Sequence, residues 1–188
     1  MIIALGRTAP YDETEVVHAC QRGERWAQRA LYEEHFHSLL PVCGRYAGDS
    51  SEAMDLLHEA FIKIFKNIKR FEPGTNLGGW MRRLTVNTCI DTYRKEVRRR
   101  TEDLGQTFDL SADEADAVSR CGEQEILAAI QRLSPVYRTI FNLYAVEGYS
   151  HREIGERLGI TESTSRSNLV KARQRLKAAL LAAETHRV

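Results

Sequence analysis

The sequence predicts an all-α protein made of two small helical domains joined by a flexible acidic linker. Three observations carry that expectation. Apolar residues recur at the spacing of one helix face over long stretches. No segment alternates apolar and polar with period two, and no Asn-Gly or Asp-Gly hairpin pair occurs. Charge falls into blocks, with an acidic stretch between two basic ones.

The net charge of +1 over 188 residues hides that division. Residues 1–61 hold five basic and ten acidic side chains, a net −5. Residues 62–100 hold eleven against three, a net +8, and residues 101–125 hold one against eight, a net −7. Residues 126–149 carry +1 and residues 150–188 carry +4. Basic blocks of this kind are electrostatic footprints for phosphate backbones, with a solvated helix face as the bland alternative. The boundaries that follow are a first domain over 13–100, a linker over 101–122 and a second domain over 123–185. The linker is rich in Asp, Glu, Ser, Thr and Gly and too poor in large apolar groups to fold alone.

Each element has its own warrant. A helix over about Glu24 to Tyr46 offers Trp26, Ala30, Leu31, Phe36, Leu39 and Leu40 to a core, with Pro41 expected to kink or interrupt it. From Glu52 to Arg70 the apolar residues Ala53, Leu56, Leu57, Ala60, Phe61, Ile64, Phe65 and Ile68 form one unbroken stripe. Phe71 to Asn76 contains Pro73-Gly74 and reads as a loop, and Thr75 or Asn76 is placed to cap the next helix. That helix runs from about Leu77 to Arg100, with Trp80, Leu84 and Ile90 as candidate core and arginines thickening towards its end.

In the second domain, Ile126, Leu127, Ile130 and Leu133 mark one helix. Ser134-Pro135 ends it and starts another, with Ser134 as cap and Pro135 in the first turn. Ser150-His151-Arg152-Glu153 fits a capping box, Gly159 suits the left-handed end of a short helix, and Thr161 caps a final helix from Glu162 to about Ala183. Helix, glycine turn and helix describe a helix-turn-helix. Its last helix turns Ser163, Thr164, Ser167, Lys171 and Gln174 away from the core residue Leu169, flanked by Arg166, Asn168 and Val170. Small, polar and basic side chains on one face suit a major groove, where Arg and Asn make bidentate base contacts. A helical hairpin facing water is the alternative.

Other classes find little support. Composition is that of a globular protein, 43% hydrophobic and 28% charged. No apolar run is long enough to span a membrane, and the apolar start Met1 to Gly6 is too short and lacks a basic leader. The expectation is a cytoplasmic protein with no membrane insertion. Cys20, Cys43, Cys89 and Cys121 form no Cys-x-x-Cys pair, and His35, His37 and Cys43 match no usual zinc spacing. His58-Glu59 begins a zinc-protease motif whose second histidine is replaced by Ile62. No catalytic residues, metal or cofactor are therefore expected, and the chain reads as no enzyme.

Asp55-Leu56-Leu57-His58-Glu59-Ala60-Phe61 is similar to the Asp-Leu-x-Gln-Glu-x-Phe signature of region 2 in the extracytoplasmic-function, or group IV, RNA polymerase sigma factors. Leu133-Ser134-Pro135 and the stretch from Gly148 to Leu176, with its Lys-Ala-Arg-x-Arg-Leu at Lys171 to Leu176, resembles region 4 of the same family. The resemblance covers about residues 22–183. It implies a sigma factor that binds RNA polymerase core, through the clamp helices of the largest subunit and the flap, and directs promoter-specific transcription initiation. Asp55, His58, Glu59 and Phe61 would dock on the polymerase, with His58 standing where the family has glutamine. For the −10 element, Gly74, Thr75, Asn76 and Leu77 would line a pocket for a flipped base. Trp80, Arg82, Arg83, Asn87, Asp91, Arg94 and Lys95 would follow the melted strand, with Arg98 to Arg100 as further phosphate contacts. For the −35 element the resemblance implies Ser163, Thr164, Arg166, Ser167, Asn168, Val170, Lys171 and Arg173 on duplex DNA. Asn168 stands where many members carry arginine, and residues 101–122 replace the family's third region. An anti-sigma factor is the further partner the resemblance implies. A stand-alone helix-turn-helix regulator with a helical sensor is the runner-up.

Overall fold

The computed structural model describes residues 12–104 and 122–185, and every regular element among them is helical. Residues 105–121 of the expected linker, together with Cys121 and the start of the chain, lie outside the described residues, as does the side chain of Arg100.

The first half contains α1 (Glu13–Arg22), α2 (Arg25–Tyr46), α3 (Ser50–Asn67), a 3₁₀ turn (Ile68–Arg70) and α4 (Leu77–Leu104). The stripe read along α3 is the one buried: Leu57 and Ile64 are fully enclosed, with Ala53, Leu56, Ala60 and Phe61 beside them. α2 and α4 close over it with Leu31, Val42 and Met81. Each large side chain taken from water contributes ~1.5–3 kcal/mol, so this three-helix contact holds the half together. Thr85 and Thr88 of α4 are buried too, and their hydroxyls donate back to Met81 O and Leu84 O, which satisfies them.

The second half contains α5 (Gly122–Gln131), α6 (Pro135–Ala145), α7 (His151–Leu158) and α8 (Glu162–Thr185). Ala129, Ile130, Leu133, Tyr137, Ala172 and Leu176 make a small core of their own. Ile140, Leu143, Ile154, Leu158 and Leu169 instead join the apolar core of the first half, so one cluster runs through both. Polar side chains complete the seam. Gln131 and Asn142 donate to Gly44 O and Arg45 O, capping carbonyls that the end of α2 leaves open.

Several expectations change. α1 was not marked by any sequence feature singled out above, yet Val16, Val17, Ala19 and Cys20 bury it against α2. Trp26 is 40% exposed, because Ala27 and Leu31 take the inner side of α2. Ile126 is 51% exposed in the first turns of α5, where burial begins only at Ala129. Pro41 does not interrupt α2, which continues to Tyr46. Ser134 precedes α6 but makes no capping bond with its side chain.

Candidate nucleic-acid and polymerase interface

The acidic edge of α3 takes shape from the buried stripe beside it. With Leu56, Leu57 and Ala60 inside, Asp55 and His58 face solvent and Glu59 is half-buried. Phe61, expected to touch a partner, is 3% exposed and belongs to the core, where its ring lies 4.6 Å from that of Tyr32. The Tyr32 hydroxyl stands 3.4 Å from His58 Nε2. Glu59 is met by Lys95 at 3.4 Å and Lys63 at 3.9 Å, and Lys63 also reaches Asp91 at 2.9 Å. The candidate polymerase face and the far part of the −10 face thus share one chain of ion pairs. Such exposed pairs contribute about 0–1 kcal/mol and exchange readily for a partner's charges.

The loop before α4 is held at both ends. Phe71 is buried and packs on Trp80 with ring centroids 5.0 Å apart. Gln21 of α1 donates through Nε2 to Ile68 O at 3.1 Å and Phe71 O at 2.9 Å. At the far end Asn76 Oδ1 accepts from Gly79 N, making Asn76 the cap, while the Thr75 hydroxyl donates to Glu72 O. Gly74 sits at φ +84°, which only glycine adopts without strain. Gly74, Thr75 and Asn76 are exposed at the tip. Leu77 is 1% exposed, so it anchors the start of α4 from beneath and cannot itself line a pocket.

Along α4, Trp80, Arg82, Arg83, Asn87, Asp91, Arg94 and Lys95 are each exposed or half-exposed. Trp80 serves mainly as the lid on Phe71. Two of the others are already engaged by the second half of the chain. Arg82 Nη2 donates to Glu147 Oε1 at 2.7 Å, and Arg157 Nη1 donates to Asn87 Oδ1 at 3.2 Å.

The helix-turn-helix is built by α7 and α8. Ser150 and Glu153 complete the capping box: the Ser150 hydroxyl accepts from Glu153 N and the Glu153 carboxylate accepts from Ser150 N. The Ser150 hydroxyl, which also donates to the Glu153 carboxylate at 2.7 Å, and the Ser150 N–H together hold that carboxyl below its ordinary value. Gly159 takes φ +71° at the turn, and Thr161 Oγ1 accepts from Thr164 N to cap α8. Ser165, Leu169, Ala172 and Leu176 are buried, whereas Ser163, Thr164, Arg166, Ser167, Val170, Lys171 and Arg173 are exposed and Asn168 half-exposed. Arg166 pairs with Glu162 one turn earlier, and Arg173 lies over the Tyr144 ring at 5.6 Å. No group of three or more His, Cys, Asp or Glu side chains among the described residues is placed to hold a metal ion.

Sequence reasoning passed over Gln21, Gly155, His151, Ser165 and the seam residues Arg45, Glu147 and Arg157. Their roles depend on partners far away in the chain or on close approach, and neither leaves a periodic trace.

Residues 31–99 match the family model of Sigma-70 region 2, and residues 123–176 match that of Sigma-70, region 4. The RNA polymerase sigma factor SigZ of Bacillus subtilis is 30% identical over 149 residues, spanning 78% of this chain and 83% of SigZ. The ECF RNA polymerase sigma factor SigE of Mycolicibacterium smegmatis is 33% identical over 153 residues, and the chain spans 59% of its length. The chain belongs to the extracytoplasmic-function sigma factors. The solved structure of the sigma factor RpoE in complex with the anti-sigma factor NepR from Bartonella quintana is 22% identical with a TM-score of 0.47, covering 79% of this chain and 96% of that one.

As a sigma factor the protein directs transcription initiation, with region 2 serving the −10 element and region 4 the −35 element. The acidic edge of α3, the Phe71–Leu77 loop and most of α4 fall within region 2, and α7 with the first part of α8 falls within region 4. No helix among the described residues is long and apolar enough to cross a membrane.

Proposed function

We propose a division of labour within this sigma factor. Asp55, His58 and Glu59 dock on basic clamp helices of the polymerase's largest subunit. Gly74, Thr75 and Asn76 receive a flipped −10 base, while Arg82, Arg83, Asn87, Arg94 and Lys95 follow the unpaired strand by its phosphates. Ser163, Thr164, Arg166, Ser167, Asn168, Val170 and Lys171 read the −35 duplex. Catalysis stays with the polymerase; this chain supplies recognition and helps melting by trapping unpaired bases. An anti-sigma factor that covers these faces is the second partner of the proposal, consistent with what RpoE binds in its solved complex.

The observation that carries the reading is the exposed face of α8. Small hydroxyls, an arginine and a lysine share the outer side of its first turns, and the inner side is tied down by Ser165, Leu169 and Ala172. That leaves a rigid polar and basic ridge next to a glycine turn, the form a helix takes to enter a major groove.

The test separates the two faces. Asp55→Lys with Glu59→Lys weakens the binding of purified core polymerase by about tenfold or more, as reversing charge at an electrostatic interface does, with helicity unchanged by circular dichroism. Arg166→Ala with Lys171→Ala spares core binding and weakens −35 duplex binding. Unchanged core affinity in the first variant removes the docking assignment, and equal losses of both activities in the second remove the −35 assignment.

A further inference from the structure

We propose that Arg45 and Arg82 form an anion site with two alternating occupants: the carboxylate of Glu147 in the closed chain, and a backbone phosphate of the −10 strand once the two halves part. Glu147 then acts as an internal plug that restrains DNA binding by the free sigma factor. The inference rests on the −10 reading proposed above and adds how that face is regulated, together with Arg45 as a phosphate contact.

Glu147 lies between α6 and α7, and its side chain is only 10% exposed. It sits 2.7 Å from Arg82 Nη2 and 3.7 Å from Arg45 Nη2. Two guanidiniums from different helices of region 2 thus converge on one carboxylate supplied by region 4. The cradle is not saturated, because Arg45 Nε and Nη2 are buried without a hydrogen-bond partner. A phosphate offers more acceptor oxygens than a carboxylate, and arginine forks match it bidentately. Next to the cradle, Asn87 is held by Arg157, which also lies over the Tyr149 ring at 4.3 Å. Two of the residues proposed to follow the melted strand are therefore occupied by the chain itself.

The seam is complementary in the other direction as well. Arg138 of α6 is 5% exposed and faces the carboxylates of Glu52, Glu96 and Asp49, while burial holds it below its ordinary value. Each half presents a cation to the other's anions. Gln131 and Asn142 fix the register by capping Gly44 O and Arg45 O.

This arrangement is incompatible with holding both promoter elements. Elements centred about 25 base pairs apart lie ~85 Å apart along the duplex at 3.4 Å per pair. In the closed chain Arg157, just ahead of the recognition helix α8, touches Asn87 of α4. Reading both elements requires the seam to open, and opening removes Glu147 from two arginines that then need a new counter-charge. A phosphate supplies it. The apparent affinity of the free chain for DNA is lowered by the fraction that remains closed.

The experiment uses the full chain and a labelled single-stranded oligonucleotide of mixed sequence, since phosphate contacts do not depend on base identity. Glu147→Gln binds it about fivefold more tightly than the unaltered protein, by raising the open fraction. Small-angle scattering shows the same variant more extended. Arg45→Ala binds more weakly, and its slope of log affinity against log salt falls by about 0.7, the value of one single-strand phosphate contact. Arg157→Ala releases Asn87 independently and also tightens binding, should Glu147→Gln disturb the fold. In a holoenzyme spread across both elements the carboxylate is far from Arg82, so Glu147→Gln transcribes as the unaltered protein does. Unchanged oligonucleotide affinity in Glu147→Gln and Arg157→Ala, an unchanged salt slope in Arg45→Ala, or binding undetectable in every variant overturns the inference. Absent run-off transcription by the unaltered holoenzyme removes the promoter reading itself, a separate result.

Discussion

At Gly155 the helix-turn-helix has no spare room. A Cβ built there would stand 2.8 Å from Ile160 O, a backbone atom that cannot swing aside, so α7 approaches the following turn as closely as it does only through glycine. Gly155→Ala is expected to destabilise the second half by about 1–3 kcal/mol through overpacking, despite alanine's better helix propensity. Urea unfolding checks this; a neutral or stabilising result would mean the turn is free to shift. The same scale separates motif residues that support from those at the surface. Phe61 and Leu77 are buried and hold the backbone from below, while the neighbours proposed to meet a partner reach the surface. A motif records which positions matter and does not separate touching from supporting.

At the scale of elements, the α7–α8 pair is joined by a histidine whose charge state matters. His151 stacks on Tyr144 with ring centroids 4.5 Å apart, and its Nδ1 lies 3.0 Å from the buried Ser165 Oγ. Desolvation, together with Arg166 and Arg173 and against Glu162, holds its pKa below the ordinary 6.5. A histidine depressed in the folded state favours the neutral ring. Its contribution is complete above the unfolded value and is lost as pH falls through the folded one. Thermal melts are therefore expected to show the second half weakening as pH drops below about 6.5, and His151→Gln flattening that dependence. Equal pH sensitivity in both proteins would place the titration elsewhere.

Helix existence was legible at this scale because the α3 stripe, the Ser150–Glu153 box and the Gly159 turn are all local. α1 was not singled out, although Gly23 ends it at φ +84°, since its burial depends on α2 and the 3₁₀ turn far along the chain. Trp26 and Ile126 were misplaced because an apolar side chain at helical phase is buried only where a neighbouring helix reaches it. The exposure of Asp55 and His58 on α3, and of the polar side of α8, was legible in outline from charge and spacing. What holds the loop before α4 was not: Gln21 reaches Ile68 and Phe71 across the fold, and no periodicity encodes such a contact.

At the scale of the whole molecule, the alternation of charge along the chain becomes complementarity in space. Arg82 of α4 meets Glu147, and Asp49 and Glu52 at the start of α3, with Glu96 of α4, lie towards Arg138. No sequence feature links one half to the other, because their contacts are made between residues far apart in the chain. One shared core and the two ion pairs of Glu147 hold the halves together, and Arg82, proposed to follow the melted strand, is engaged within the chain itself.

The account's central claim is that this chain confers promoter-directed initiation on a core polymerase that lacks it. Run-off transcription with purified core enzyme and a library of promoter fragments measures this directly. The account predicts discrete transcripts that appear only when the chain is added, and that disappear with Asp55→Lys and Glu59→Lys together. Transcripts indifferent to the chain, or none with any promoter and core tried, would contradict it.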